Sequence, residues 1–169
     1  MLTREEILSL LAMKPHPEGG FYRETYRANE EIPAEALPGR YQGARHHGTA
    51  IYFMLTVDSP SWIHRVKSDE IYLFHCGDPV EILMLFPDGS GRVERLGLDL
   101  AAGMRPQIVI PRGAWQGSYI KDVAAGYALI STTVSPGFDF RDFEMGKRSE
   151  LSASHPAYAD LIARLSGPG

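Results

Sequence analysis

From Thr49 to Val134 the chain is cut into short apolar or alternating segments, each closed by a turn signal. The segments near Trp62–Val66, Glu70–His75, Glu81–Phe86, Gly91–Leu96, Gln107–Ile110, Gln116–Ile120 and Tyr127–Val134 read as strands. Asp58-Ser59-Pro60, Gly77-Asp78-Pro79 and Pro87-Asp88-Gly89-Ser90-Gly91 separate them, the last being a strong hairpin signal. Many short strands at regular spacing bury their apolar faces in two packed sheets or a closed barrel. Periodicity alone leaves both open.

The flanks fit this frame. Thr49 to Val57 is β-branched and aromatic throughout, which predicts a strand buried on both faces. Phe21 to Arg27 alternates, with Phe21, Arg23, Thr25 and Arg27 on one face and Tyr22, Glu24 and Tyr26 on the other. Thr3 and Glu6 predict a capping box for a short N-terminal helix that presents Ile7, Leu8 and Leu11. Lys14 to Gly20 breaks that helix, and Asn29 to Gly48 reads as a loop. Tyr158, Leu161, Ile162 and Leu165 have helical spacing within a tail helix from His155 to Leu165. No repeat or composition break divides residues 1–169, so one domain is expected.

Composition narrows the function. A formal charge of -4 argues against a general nucleic-acid face, which needs clustered Lys and Arg. No apolar run approaches the ~20 residues that cross a bilayer, so no membrane partner is expected. The N-terminus lacks a signal-peptide apolar region, and the single Cys76 excludes an intrachain disulfide and a multi-Cys zinc site. A cytoplasmic protein with a small-molecule partner is the expectation.

Chemistry concentrates between Trp62 and Gln116. Alternation puts Trp62, His64 and Val66 on one face and Glu70, Tyr72 and Phe74 on another. If both faces point inward, His64 and Glu70 share a cavity. His75 then points outward unless a bulge turns it. A buried His beside a carboxylate is a candidate general base. Arg45-His46-His47 reads as solvated loop, and Cys76 as packing. Asp142 and Glu144 suit either acid–base work or an interface segment.

These residues resemble the two motifs of the cupin superfamily. Glu70 and Gly77 keep the first motif's spacing, His64 stands at its second His, and Pro111 and Gly113 match the turn of the second motif. His64 lies one residue farther from Glu70 than is usual, which calls for a bulge. Trp62 occupies the first His position and Gln116 the His position of the second motif. Pro17 to Tyr26, Ser59 to Trp62, Ser68 to Glu70, Leu96 to Leu100 and Pro136 to Glu144 resemble a branch of small cupins without an agreed reaction.

The resemblance implies an all-β double-stranded β-helix, a jelly-roll barrel, here with a short N-terminal helix and a C-terminal helix. It also implies a homodimer, with Phe21–Tyr26 and Phe138–Phe143 as interface material. Cupins bind a divalent transition metal through such motifs. If one is held here, His64, Glu70 and Gln116 are its ligands, weakly, since an amide replaces an imidazole. No resident cofactor is expected.

The primary reading is a barrel that binds a small anionic or carbohydrate-like molecule. Arg23, Tyr52, Trp62 and Gln116 are expected to bind it, with Arg23 gripping an anion. His64 with Glu70 is the candidate base, and Tyr72 or Tyr52 the candidate acid. The alternatives are a metal-free epimerase or isomerase, a metal-dependent oxygenase or isomerase, and a ligand sensor.

Overall fold

The computed structural model describes residues 2–167. Two antiparallel sheets face each other. Nine main strands build them: β1 (Phe21–Arg27), β2 (Thr49–Thr56), β3 (Ser61–Arg65), β4 (Asp69–Gly77), β5 (Val80–Leu85), β6 (Gly91–Leu96), β7 (Gln107–Ile110), β8 (Trp115–Ile120) and β9 (Tyr127–Ser135). The first sheet has six strands, in the order Lys14–Pro15, β1, β2, β9, β4, β7. The second has five: Glu144–Met145, β3, β8, β5, β6. Glu31–Ile32 and Arg45–His46 pair separately inside the long loop. This is the expected all-β jelly roll with terminal helices.

Between the sheets, one end is filled. Phe53, Leu55, Val80, Ile82, Met84, Leu96, Ile108, Ile110, Ile120 and Ile130 form a dry core there. The outer face of the five-stranded sheet is covered as well. Helices α2 (Arg148–Ser154) and α3 (Ala159–Arg164) lay Leu151, Ile162 and Leu165 over Ile63, Leu83, Leu85 and Tyr119. Burial on both faces explains why β5 is apolar almost without interruption. The sequence places one tail helix; the structure adds α2 before it. At the other end of the chain, α1 (Arg4–Leu10) forms with the capping box intact and sets Ile7 on Met54 and Tyr127.

Three bulges interrupt the regular alternation, each letting one strand carry an extra residue and switch faces. In β1, Glu24 is opposite Ile51 and Tyr26 opposite Ala50, so Thr25 is extra. Along β3, Ser61 faces Ser118 and His64 faces Gln116, so Trp62 and Ile63 together oppose Gly117. In β4, Phe74 is opposite Ile130 and Cys76 opposite Leu129, so His75 is extra.

Candidate active site

The end of the barrel away from the dry core holds a cavity of about 270 Å³. Its walls include Tyr22, Glu24 and Arg27 from β1, Thr49, Ile51 and Phe53 from β2, and Thr132 and Val134 from β9. His64, Val66, Glu70 and Tyr72 line it from the motif strands. Phe138, Asp139 and Phe140 wall it from the segment after β9. That segment is pinned down. Arg45 donates to both carboxylate oxygens of Asp142, each at 2.7 Å, and Phe138 N–H donates to Thr49 Oγ1 at 3.0 Å.

The β3 bulge builds the centre of the site. It turns Ser61 and His64 to the same side, where both meet Glu18. Ser61 Oγ donates to Glu18 Oε1 at 3.0 Å, and His64 Nε2 lies 3.3 Å from Glu18 Oε2. Glu18 arrives on the loop after Lys14–Pro15. Its carbonyl accepts the Trp62 N–H at 2.6 Å, which ties the loop to β3. Gly19 follows at φ 90°, and a Cβ there would collide with the Pro60 carbonyl. A side chain at Gly19 would therefore push Glu18 out of the site.

The protons can be placed from the acceptors. The carbonyl of Trp62 only accepts, so His64 Nδ1–H donates to it at 2.8 Å. Neutral His64 then carries a lone pair on Nε2. Likewise His16 Nδ1 accepts the Glu18 backbone N–H at 3.3 Å, and it stands 3.4 Å from Glu18 Oε2. The His16 lone pair is taken by that backbone N–H, so the free acceptor beside Glu18 Oε2 is His64 Nε2, and a proton on the carboxyl satisfies that contact. Burial works the same way. It pushes the Glu18 carboxyl up to about 8, against the hydrogen bond from Ser61. It pushes His16 down to about 4, helped by nearby His64. His64 is also lowered by burial, opposed by Glu70.

Glu70 is the second buried carboxyl. Gln116 Nε2 donates to its Oε2 at 2.7 Å. Burial and then the charge of Glu18 raise its pKa, while His64 opposes the rise. Tyr72, buried beside these carboxyls, is pushed well above the ordinary phenol value. Aromatic rings close the space: Phe143 stacks on His64 with centroids 5.3 Å apart, and His16 meets Tyr22 edge-on at 4.7 Å.

The sequence-predicted residues divide. His64, Glu70 and Tyr72 come together in the cavity. Gln116 does not line it; it stands behind Glu70, with Oε1 buried and unpartnered. Trp62 is displaced by the bulge and packs beside Gly19 and Gly167. Arg23 and Tyr52 are a cross-strand pair on the outer face of the six-stranded sheet, and Arg23 is exposed. The bulge at Thr25 separates the two arginines: strict alternation puts Arg27 on the face of Arg23, and the extra residue brings it round to the cavity side. There Arg27 is bound to Glu24 at 2.6 Å and to the Phe138 carbonyl at 3.2 Å.

His75 points outward, bonded to Ser131 Oγ at 2.5 Å. Arg45, read as solvated loop, is 2% exposed, and Asp142 is its structural partner rather than an acid–base group. Cys76 is exposed rather than packed. His16 and Glu18 are the residues that sequence reasoning missed. Their segment reads as a helix breaker, and only its resemblance to the small-cupin branch marks it.

The donor set does not fit a cupin metal centre. Gln116 turns its amide N–H, not its oxygen, toward Glu70, and Trp62 supplies no ligand. Among the described residues no group of three or more His, Cys, Asp or Glu side chains converges with metal-binding geometry. Nor is any described helix long and apolar enough to cross a membrane.

Fold and site together define a jelly-roll barrel with a dry closed end and buried acid–base groups in its open end. Residues 5–146 match the family model described as Cupin superfamily (DUF985), and the chain belongs to that family. It is 36% identical to the solved protein SO0799 from Shewanella oneidensis over the whole of both chains, with a TM-score of 0.88. A hypothetical protein from Leishmania major is 34% identical, with a TM-score of 0.89 over 99% of this chain and 100% of that one. The uncharacterized protein YML079W of Saccharomyces cerevisiae is 32% identical over 136 residues, 75% of this chain and 67% of the yeast protein.

Proposed function

We propose that the cavity binds a small, uncharged, hydroxylated molecule and moves a proton on it, as in epimerisation or isomerisation. The observation that carries this is the placement of the buried Glu18 carboxyl. Its Oε2 lies 3.3 Å from His64 Nε2 and 3.4 Å from His16 Nδ1, while Glu70, a second buried carboxyl, faces the same space. Two carboxyls in different environments supply an acid and a base at one pH. Glu18 with His64 is the proton-donating station, and Glu70, held by Gln116, is the accepting one. The electrostatics favour a neutral ligand over an anion. Glu18, Glu24, Glu70 and Asp139 line the cavity against a single Arg27, itself already paired. The aromatic walls suit the apolar face of a sugar-like ring.

Hydroxyaldehydes, ketoses and aldoses, screened by thermal shift and then incubated in deuterated water, test the reading. Deuterium should appear beside the carbonyl of a compound that binds, and Glu18→Gln or His64→Gln should abolish it. A binder that shows no exchange would leave a sensor and overturn the catalytic part. Absence of any binder would overturn the reading altogether.

A homodimer through the outer face of the six-stranded sheet accompanies this proposal. Tyr26 is 57% and Val109 45% exposed there, beside half-buried Tyr52, Ile71 and Leu73. Of the aromatics in Phe21–Tyr26 and Phe138–Phe143, Tyr26 stands on this face. Phe21 packs under α1, and Phe138 and Phe140 wall the cavity. Light scattering that shows a monomer at micromolar concentration would refute the dimer.

A further inference from the structure

Behind the Phe138–Phe143 segment lies a second, open groove of about 510 Å³. Its floor is Val66, Gly113 and Phe143. Arg40, Arg65, Lys67, Arg112 and Arg141 stand around it. Such clustering is unexpected in a chain with a net charge of -4. The acidic groups nearby are already engaged. Asp142 gives both oxygens to buried Arg45, Asp139 holds Arg141 at 2.7 Å, and Glu144 holds Arg65 at 2.6 Å.

Three cations are left over. Lys67 reaches Asp142 only at 3.6 Å, on an oxygen that Arg45 already occupies. The Arg40 guanidinium has no carboxylate; it donates to the Lys67 carbonyl at 3.0 Å and lies over the Tyr41 ring. Arg112 makes no side-chain bond among the described residues, and Asp69 takes its backbone N–H instead, at 2.7 Å. A backbone bond ties two of the segments together, Gly113 N–H donating to the Val66 carbonyl at 2.9 Å next to Lys67 and Arg112, and the Arg40 side chain joins them through the Lys67 carbonyl.

We infer that this groove is a separate binding site for the phosphate group of a small phosphate ester. Arg112 presents a planar fork that matches phosphate oxygens; Arg40, whose Nε and Nη2 are held by the Lys67 carbonyl and the Tyr41 hydroxyl, offers its Nη1, and Lys67 adds a compact charge. The apolar floor of Val66 and Phe143 takes the ester's carbon body. A bare cluster of like charges repels itself, so a bound dianion stabilises the fold by neutralising it. The groove is opposite to the cavity in charge, and Val66 and Phe143 stand between the two.

Isothermal titration and thermal melts with phenyl phosphate and with inorganic phosphate test this. Low ionic strength is needed, because at 0.01 M the Debye length of ~30 Å leaves exposed charges unscreened. Phenyl phosphate should bind saturably, one per chain, and raise the melting temperature. Arg112→Ala and Lys67→Ala should each weaken it about tenfold or more, the loss of one charge-assisted hydrogen bond. Arg92→Ala, on β6 outside the groove, should leave binding unchanged. Without phosphate, Arg112→Ala should melt no lower than the parent protein. Equal affinity for inorganic phosphate would overturn the ester assignment. Undiminished binding in Arg112→Ala and Lys67→Ala, or no saturable binding by the parent protein, would overturn the site.

Discussion

Oε2 of Glu18 lies 3.3 Å from Nε2 of His64, while Nδ1 of the same imidazole is held 2.8 Å from the Trp62 carbonyl. One nitrogen of the ring is therefore fixed by the backbone, and the other is directed at a buried carboxyl. That pair exists because a loop residue remote from both cupin motifs reaches a motif strand through a bulge.

The pair has a pH signature. Glu18 is raised to about 8, so the folded protein keeps a proton that the unfolded chain has released. Such a group favours folding below its unfolded pKa, and the benefit disappears as pH rises through the folded value. His16 and His64 are lowered and act oppositely, but only below the ordinary histidine value of 6.5. Stability should thus fall between about pH 6.5 and 8. Melting curves across that window should slope downward for the parent protein and less steeply in Glu18→Gln, the remainder coming from Glu70, which burial also raises. An unchanged slope in the variant would refute the assignment of the proton.

Arg23 and Arg27 should separate cleanly. Arg23 is exposed on the outer face, so Arg23→Ala should leave any cavity ligand's affinity unchanged and alter stability by no more than about 0.5 kcal/mol. Arg27→Ala removes the bonds to Glu24 and to the Phe138 carbonyl, and should weaken cavity binding. Titration of both variants with a compound found in the thermal screen decides the matter. The reverse ranking would contradict the register described for β1.

Removing Asp142 should loosen the cavity wall. The Arg45 and Asp142 side chains are 1% and 4% exposed, and breaking a buried pair on one side typically costs about 3–5 kcal/mol. Asp142→Ala should therefore lower the urea midpoint strongly. It should also weaken cavity ligands, since Phe138 and Phe140 ride on the same segment. A midpoint within experimental error of the parent would show that the pair holds nothing in place.

Protein purified without a His tag should carry far less than one transition metal per chain. The reason is the orientation of Gln116, whose amide nitrogen already occupies Glu70 Oε2 at 2.7 Å. Elemental analysis near one zinc, iron, manganese or nickel per chain would overturn this.

Much of the architecture is legible in the sequence. Strand positions follow from period-two patterning and turn chemistry, and β1, β6 and β7 fall where that patterning puts them. The N-terminal helix follows from Thr3 and Glu6, whose side chains satisfy backbone groups within a single turn. The meeting of His64, Glu70 and Tyr72 also follows from local alternation plus the cupin resemblance. These features depend on neighbours a few residues apart, which is the range over which sequence pattern carries information.

Tertiary structure decided the rest, and it did so mainly at the three bulges. A bulge reverses the in–out assignment of every residue beyond it, and nothing in the side-chain period marks Thr25, Trp62-Ile63 or His75 as the extra residue. For that reason Arg27 leaves the face of Arg23 and turns to the cavity, and Ser61 joins His64 while Trp62 leaves. Glu18 was hidden for a different cause. It enters the site from 46 residues before His64, through a loop closed by Gly19 against β3, and no local pattern reports a contact that only chain packing creates.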